Sequence, residues 1–334
     1  MTFGATILDA EGLRLTADEV ALFREADPFG FILFARNIDS ADQVRALCDD
    51  MRNAVGRDAI ITIDQEGGRV QRLVPPLARQ WRPPLDHVAA AGDAAQRAMY
   101  LRYRLIAHEL RELGIDSNCA PMVDLVAKET HPFLKNRCYA SSPDTVARIG
   151  KAVAQAHLDG GVLPVIKHMP GHGRTTLDTH FDLPTVSAPK TELLETDFAP
   201  FRALADLPLG MTAHLVFEAI SNAPATLSPD MMRVIREEIG FAGLLMTDDL
   251  SMKALQGTHP DLAARAIAAG CDVILYCNQS LEDRRRVAEA AGRMCEDAQA
   301  RAEAALARRQ TPAPLDIDAA EADLAGLMDG QVYG

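Results

Sequence analysis

The sequence predicts an α/β fold, a single-domain (β/α)8 barrel of the TIM type, on three observations. Eight short apolar runs recur along the chain with segments of helical period between them. That alternation builds a mainly parallel sheet with helices outside, and about eight such units in roughly 300 residues suit a closed barrel better than an open sheet. Neither G-x-G-x-x-G nor G-x-x-x-x-G-K-[ST] follows any run, which counts against dinucleotide-binding and phosphate-loop folds.

In chain order, the expected strands cover residues 4–8, 30–35, 59–63, 115–120, 162–166, 209–213, 243–247 and 272–276. Helical period marks Ala41–Val55 and residues 94–113, 144–158 and 229–239. The last two are preceded or opened by Ser142-Pro143-Asp144 and Ser228-Pro229-Asp230. Each supplies a serine N-cap, a proline at the first helical position and an acid in the first turn. Residues 280–310, rich in Ala, Arg and Glu, read as one long helix whose alternating charges form a solvated face. Pro312 and Pro314 end it, and residues 316–328 form a last short helix. One barrel domain over residues 1–334, with a C-terminal helical extension from about residue 280, is the expected organisation.

A chain of 334 residues with 48% hydrophobic and 24% charged content has ample material for a core. Its formal net charge of -13 and the lack of a long basic run argue against a nucleic-acid partner. An anionic ligand must therefore be held by a local cluster. No segment approaches the roughly 18–20 apolar residues of a membrane helix, and the N-terminus has neither a basic region nor a long apolar stretch of signal-peptide type. Cys48, Cys119, Cys138, Cys271, Cys277 and Cys295 form no C-x-x-C pair and read as thiols in a reducing compartment. A cytoplasmic protein is expected.

The run ending at Ile166 stops abruptly in Lys167 and His168, and Pro170, Gly171 and Gly173 then prevent a regular ladder. The following loop carries His172, Arg174, Asp178 and His180, so three of the nine histidines fall within thirteen positions, 168 to 180. A buried strand opening into a loop dense in titratable groups is the layout of an active site on this scaffold. The other strand ends agree. In order they present Asp9, Arg36, Asp64, Asp124, Lys167 with His168, His214, Asp248 with Asp249, and Asn278 to one rim.

Asp64-Gln-Glu-Gly-Gly-Arg-Val-Gln-Arg72 follows the third run. Its glycine pair allows a tight turn, so that Arg69 and Arg72 fold back over Asp64. A carboxylate beside guanidinium groups suits a polyol, because one accepts and the others donate hydrogen bonds. Near the seventh run, Asp248 and Asp249 point to opposite sides, so only one faces the barrel mouth. Periodicity does not choose between them, and the other is free to cap the next helix. Histidines and carboxylates also suit zinc, which makes a metal-dependent barrel hydrolase the alternative. Against it, Pro170 and the glycines keep His168 and His172 off one helix face, and there is no H-E-x-x-H. Neither a metal nor a cofactor is expected. His108 and His157 read as packing or surface residues of helices, and Phe29, Phe31 and Phe34 as core.

With Lys167-His-Met-Pro-Gly-His-Gly-Arg-Thr-Thr-Leu-Asp-Thr-His180, Asp64–Arg72 and Thr247-Asp-Asp-Leu-Ser-Met252 in this order, the chain resembles the bacterial β-N-acetylglucosaminidases of glycoside hydrolase family 3 in their single-domain form. The likeness spans about residues 5 to 280. It implies a retaining exo-glycosidase acting on peptidoglycan fragments with terminal N-acetylglucosamine on anhydro-muramic acid, as in cell-wall recycling. By matching positions Asp248 is the nucleophile, and His180, paired with Asp178, is the general acid/base. Asp64, Arg72, Lys167 and His168 bind the terminal sugar, and Arg137 in Asn136-Arg-Cys-Tyr139 matches a binding arginine. Met169 stands where the family has Phe and Thr179 where it has Ser, while residues 128–137 fit only loosely. Retaining glycosidases usually pair two carboxyl groups. A histidine starts near 6.5 and needs only slight tuning to exchange protons at neutral pH, which Asp178 would supply.

Overall fold

The eight expected apolar runs all contribute strands: β1 Gly4–Asp9, β2 Pro28–Leu33, β3 Ile60–Ile63, β4 Ser117–Asn118, β5 Leu163–Met169, β6 Leu209–Thr212, β7 Leu244–Met246 and β8 Ile274–Tyr276. The computed structural model describes residues 2–175 and 183–334. Two parallel four-stranded sheets, ordered β8-β1-β2-β3 and β7-β6-β5-β4, meet along both edges. Asp116 N–H donates to Ile61 O at 3.1 Å and Cys119 N–H to Ile63 O at 2.9 Å, which joins β3 to β4. A parallel bridge between Met246 and Val273 joins β7 to β8. The result is a closed cylinder. Its strands are almost wholly buried because side chains fill the inside while helices cover the outside.

Helices alternate with the strands: α1 Ala17–Ala26, α2 Ala41–Val55, α3 Ala95–Glu112, α4 Pro143–Asp159, α5 Ala199–Ala203, α6 Pro229–Arg233, α7 His259–Ala269 and α8 Leu281–Ala291. Their starts follow local chemistry. Thr16 and Glu19 form a reciprocal capping box, and Ser40, Ser228, Thr258 and Ser280 accept from the first turn. The segment expected as one helix over residues 229–239 leaves α-geometry after Arg233 and continues as a π-turn, Val234–Glu238.

The tail differs from expectation. Residues 280–310 form two helices, α8 and α9 (Glu296–Leu306), because Gly292 at φ 67° turns the chain back along β1. There Ala5 N–H donates to Gly292 O and Met294 N–H to Phe3 O, both at 2.9 Å. Nor are all the charges solvated. Arg284 is buried at 1% exposure, donating to Asp9 O at 2.6 Å, Glu11 at 2.8 Å and Glu19 at 3.2 Å. Arg301 of α9 binds Asp272 at 2.7 Å. The last helix, α10 (Ile317–Leu327), lies against α3.

Breaking a buried ion cluster by removing one partner typically costs about 3–5 kcal/mol. Arg284→Ala should lower the unfolding free energy by that order in urea titrations. Arg286→Ala, two residues along the same helix and paired with Glu282 in solvent, should leave the midpoint nearly unchanged.

Candidate active site

The C-terminal ends of the strands surround a cavity of about 350 Å³. Of the eight expected rim positions, Asp64, Lys167 with His168, Asp248 with Asp249, and Asn278 line it. Asp9, Arg36, Asp124 and His214 stand behind that lining as supports. Arg36 binds Asp9, and its Nη1 reaches Asn278 Oδ1 at 2.7 Å. His214 is fully buried between Thr226 Oγ1 at 2.8 Å and the Asp249 carbonyl at 3.1 Å.

One wall is a charge network. Lys167, 2% exposed near the end of β5, donates to Asp64 Oδ1 at 2.9 Å and lies 2.6 Å from Glu66 Oε1. Glu66 accepts from Arg137 twice, from Nε at 2.9 Å and from Nη2 at 2.8 Å. Asp64 Oδ2 accepts from Arg72 at 3.1 Å. Burial disfavours every one of these charges, yet the opposite charges prevail. Lys167 and Arg72 hold the Asp64 carboxyl well below the usual carboxylate range. Arg137 and Lys167 push Glu66 down to about 2, and Asp64 and Glu66 raise Lys167.

The hairpin after β3 makes this wall possible. Gln65–Gly67 pairs with Val70–Gln71, while the Gln65 side chain accepts from the N–H groups of Arg72 and Leu73, both at 3.0 Å. Gly67 has φ 98°, and a Cβ there would fall 1.9 Å from the Arg102 guanidinium. The expected fold-back of both arginines holds for Arg72 alone. Arg69 lies over the Phe133 ring instead, 4.0 Å from its centroid.

A second wall is built on Asp124, fully buried behind His168. Its carboxylate accepts from His168 Nδ1 at 2.7 Å and from the His172 N–H at 2.7 Å. Burial opposes the Asp124 charge, but His168 and His172 keep its carboxyl below the ordinary value. Burial lowers His172 to about 4, so it is neutral at pH 7. The peptide joining Lys167 to His168 is cis, and both side chains face the cavity.

Asp124 also anchors the stem of the loop after β5. Thr130 Oγ1 donates to the Gly173 carbonyl at 2.5 Å, and a Cβ on Gly173 would sit 1.9 Å from the Leu125 carbonyl. Arg174 turns away from the cavity to Asp197 at 2.6 Å and Glu192 at 2.7 Å. Asp178 and His180 lie outside the described residues.

The structure separates the two aspartates after β7. Asp249 spends its carboxylate on a turn, accepting from Ser251 N–H at 3.0 Å, Ser251 Oγ at 2.8 Å and Cys277 N–H at 3.3 Å. It caps that turn rather than a helix. Asp248 accepts only the Asp249 N–H, at 2.8 Å, among the described hydrogen bonds. Burial works against its charge, but His168, His214, the Asp249 N–H and Lys167 together hold its carboxyl below the usual range. It is thus an ionised carboxylate facing the cavity.

Sequence reasoning missed Glu66 and misplaced Phe34. Glu66 lies two residues beyond Asp64, the spacing that puts side chains on one face of extended chain, so a signal existed. Phe34 is not core. It lines the cavity, with the Arg36 guanidinium 4.8 Å and the Arg72 guanidinium 5.6 Å from its ring centroid. An apolar residue at a strand end carries no sequence mark that distinguishes wall from core. His157 is buried packing, bonded to Asn118 at 2.9 Å and the Val153 carbonyl at 2.8 Å. Among the described residues, no group of three or more His, Cys, Asp and Glu is placed to hold a metal ion.

Residues 8–310 match the glycosyl hydrolase family 3 N-terminal domain. A beta-hexosaminidase of Alkalilimnicola ehrlichii is 36% identical over 286 residues, 83% of this chain and 82% of that one. Among solved structures, NagZ from Neisseria gonorrhoeae in complex with N-trifluoroacetyl-D-glucosamine superposes with a TM-score of 0.85 at 29% identity, covering 98% of this chain and 99% of that one. A family 3 β-N-acetylglucosaminidase from Paenibacillus gives 0.87 at 29% identity, covering 97% of this chain and 67% of that one.

A carboxyl with a depressed folded pKa stabilises the fold above its unfolded value, and this is lost as pH falls through the folded one. Going from an ordinary 4.5 to about 2, Glu66 should contribute on the order of 3 kcal/mol at neutral pH. Urea unfolding should show roughly 2 kcal/mol of that loss between about pH 6 and pH 3, and a correspondingly flatter pH dependence in Glu66→Gln.

Proposed function

This chain belongs to glycosyl hydrolase family 3 and is a β-N-acetylhexosaminidase; from that premise we propose that it removes single terminal N-acetylglucosamine residues with retention, using Asp248 as nucleophile. The observation that carries the reading is geometric: the Asp248 carboxylate, which accepts only the Asp249 N–H among the described hydrogen bonds, lines one cavity together with Asp64, Arg72, Arg137, Lys167 and His168, side chains suited to sugar hydroxyls. About 350 Å³ at the end of a barrel suits one sugar ring, hence cleavage from a chain end.

In this reading Asp64 accepts from sugar hydroxyls, Arg72, Arg137 and Lys167 donate to them, and His168, whose Nδ1 is given to Asp124, meets them through Nε2. Asp248 attacks C1 as the bond from C1 to the leaving oxygen breaks, and that oxygen takes a proton from the His180 imidazolium. Neutral His180 then takes a proton from water, whose oxygen attacks C1 and releases the Asp248 ester. Asp178 orients and tunes the imidazole. Because the folded environment lowers the Asp248 pKa, the nucleophile remains ionised at and below neutral pH. No metal or cofactor takes part.

The proposed natural substrates are peptidoglycan fragments bearing N-acetylglucosamine on anhydro-muramic acid, cleaved in the cytoplasm during cell-wall recycling. The relatives' names support the sugar. Six unpaired cysteines, five of them buried, suit a reducing compartment. No described helix is long and apolar enough to cross a membrane.

Asp248→Ala should lower the rate on an N-acetylglucosamine glycoside by on the order of 10⁴-fold. A slow 2-deoxy-2-fluoro sugar should leave a covalent glycosyl adduct on Asp248, detected by peptide mass spectrometry. Full activity in Asp248→Ala would refute the nucleophile, an adduct absent from Asp248 would favour attack by the substrate's own acetamido group, and loss of activity with chelator would favour the metal-dependent hydrolase.

A further inference from the structure

We infer that Glu66 is a positioning residue of the sugar site, acting on the substrate only through Arg137 and Lys167. Glu66 does not line the cavity, and it is 1% exposed. Both of its oxygens are committed: Oε1 to Arg137 Nη2 at 2.8 Å and to Lys167 at 2.6 Å, Oε2 to Arg137 Nε at 2.9 Å. Its main-chain carbonyl is held as well, accepting from Arg102 Nη2 at 2.6 Å and from the Tyr103 Oη hydroxyl at 3.2 Å.

The consequence is geometric. A guanidinium gripped along one edge by a carboxylate has a fixed plane and keeps its remaining donors on the other side. Lys167 gives one of its three donors to Asp64 and is ion-paired with Glu66 at 2.6 Å. Arg137 and Lys167 both line the cavity, so Glu66 sets the direction of the donors they have left. It also separates like charges. Without its carboxylate, Asp64 alone would face Arg72, Arg137 and Lys167, and the buried ammonium and guanidinium would repel each other.

A purely structural carboxylate and a positioning one differ in kinetics. The bonds that Arg137 and Lys167 make to the sugar are present in the bound substrate and in the transition state alike, so their misalignment raises KM more than it lowers kcat. Of the groups that support Asp248, His168, His214 and the Asp249 N–H make no described hydrogen bond to Glu66, and only Lys167, the smallest of the four influences, is shared, so the effect on kcat is small beside that on KM.

The inference rests on the proposed sugar site, and the test separates the two. Glu66→Gln and Glu66→Asp are assayed with a chromogenic N-acetylglucosamine glycoside beside the unchanged chain. In Glu66→Gln, which keeps the shape and loses the charge, KM should rise roughly ten- to a hundredfold with kcat within about threefold, the scale of one or two charge-assisted hydrogen bonds. Glu66→Asp keeps the charge on a shorter arm and should recover part of that rise, to a KM about threefold to fivefold above the unchanged chain. The role is overturned if KM is unchanged while kcat falls in proportion to folded protein, or if neither constant moves. Should Glu66→Gln not fold, Glu66→Asp alone decides, because an unchanged KM in it sinks the inference. An unchanged chain that neither hydrolyses the glycoside nor binds N-acetylglucosamine would instead sink the sugar site itself.

Discussion

The site depends on a buried ammonium. Lys167 lies two residues before the end of β5 at 2% exposure, and removing such an ion from water costs several kcal/mol unless partners meet it closely. Two carboxylates do so, Asp64 at 2.9 Å and Glu66 at 2.6 Å, both from the hairpin after β3. Glu66 in turn grips Arg137 from the loop after β4. Three consecutive strand ends are thereby locked to one another by a single electrostatic requirement. No member can leave without stranding a buried charge, so the wall is held in one arrangement.

A second part of the cavity wall follows a different logic. Asp124 binds the ring of His168 and the backbone of His172 with one carboxylate. It therefore couples a cavity-lining imidazole to the stem of the loop that carries Asp178 and His180. The close packing of Gly173 on Leu125 fixes that stem further. Asp248 completes this side as the carboxylate with the fewest commitments, whereas its neighbour Asp249 is consumed by a turn. The barrel thus spends most of its rim charges on one another and leaves a few directed inward.

Support extends beyond the rim. Trp81 packs against the Arg102 guanidinium, which holds the Glu66 carbonyl, and Trp81 itself bridges to Tyr333 near the chain's end. Arg284 ties α8 to the end of β1 from the far side. Surface-looking charge in the tail is in this way part of the framework under the site.

The sequence by itself determined the barrel, the rim and the identity of the motif residues. Runs of apolar residues broken by helical period need only local spacing to be read, and charge appears at or just past the strand ends, as at Lys167, Asp64 and Asp248. Tertiary structure alone decided which of those charges are committed to each other. Glu66 meets Arg137 71 positions away, and Asp64 meets Lys167 across 103. It spent the Asp249 carboxylate on a turn, brought Phe34 to the cavity wall, and buried Arg284 from a helix that reads as solvated. The physical reason is that burial and ion pairing belong to contacts between distant strand ends, and no local pattern carries them.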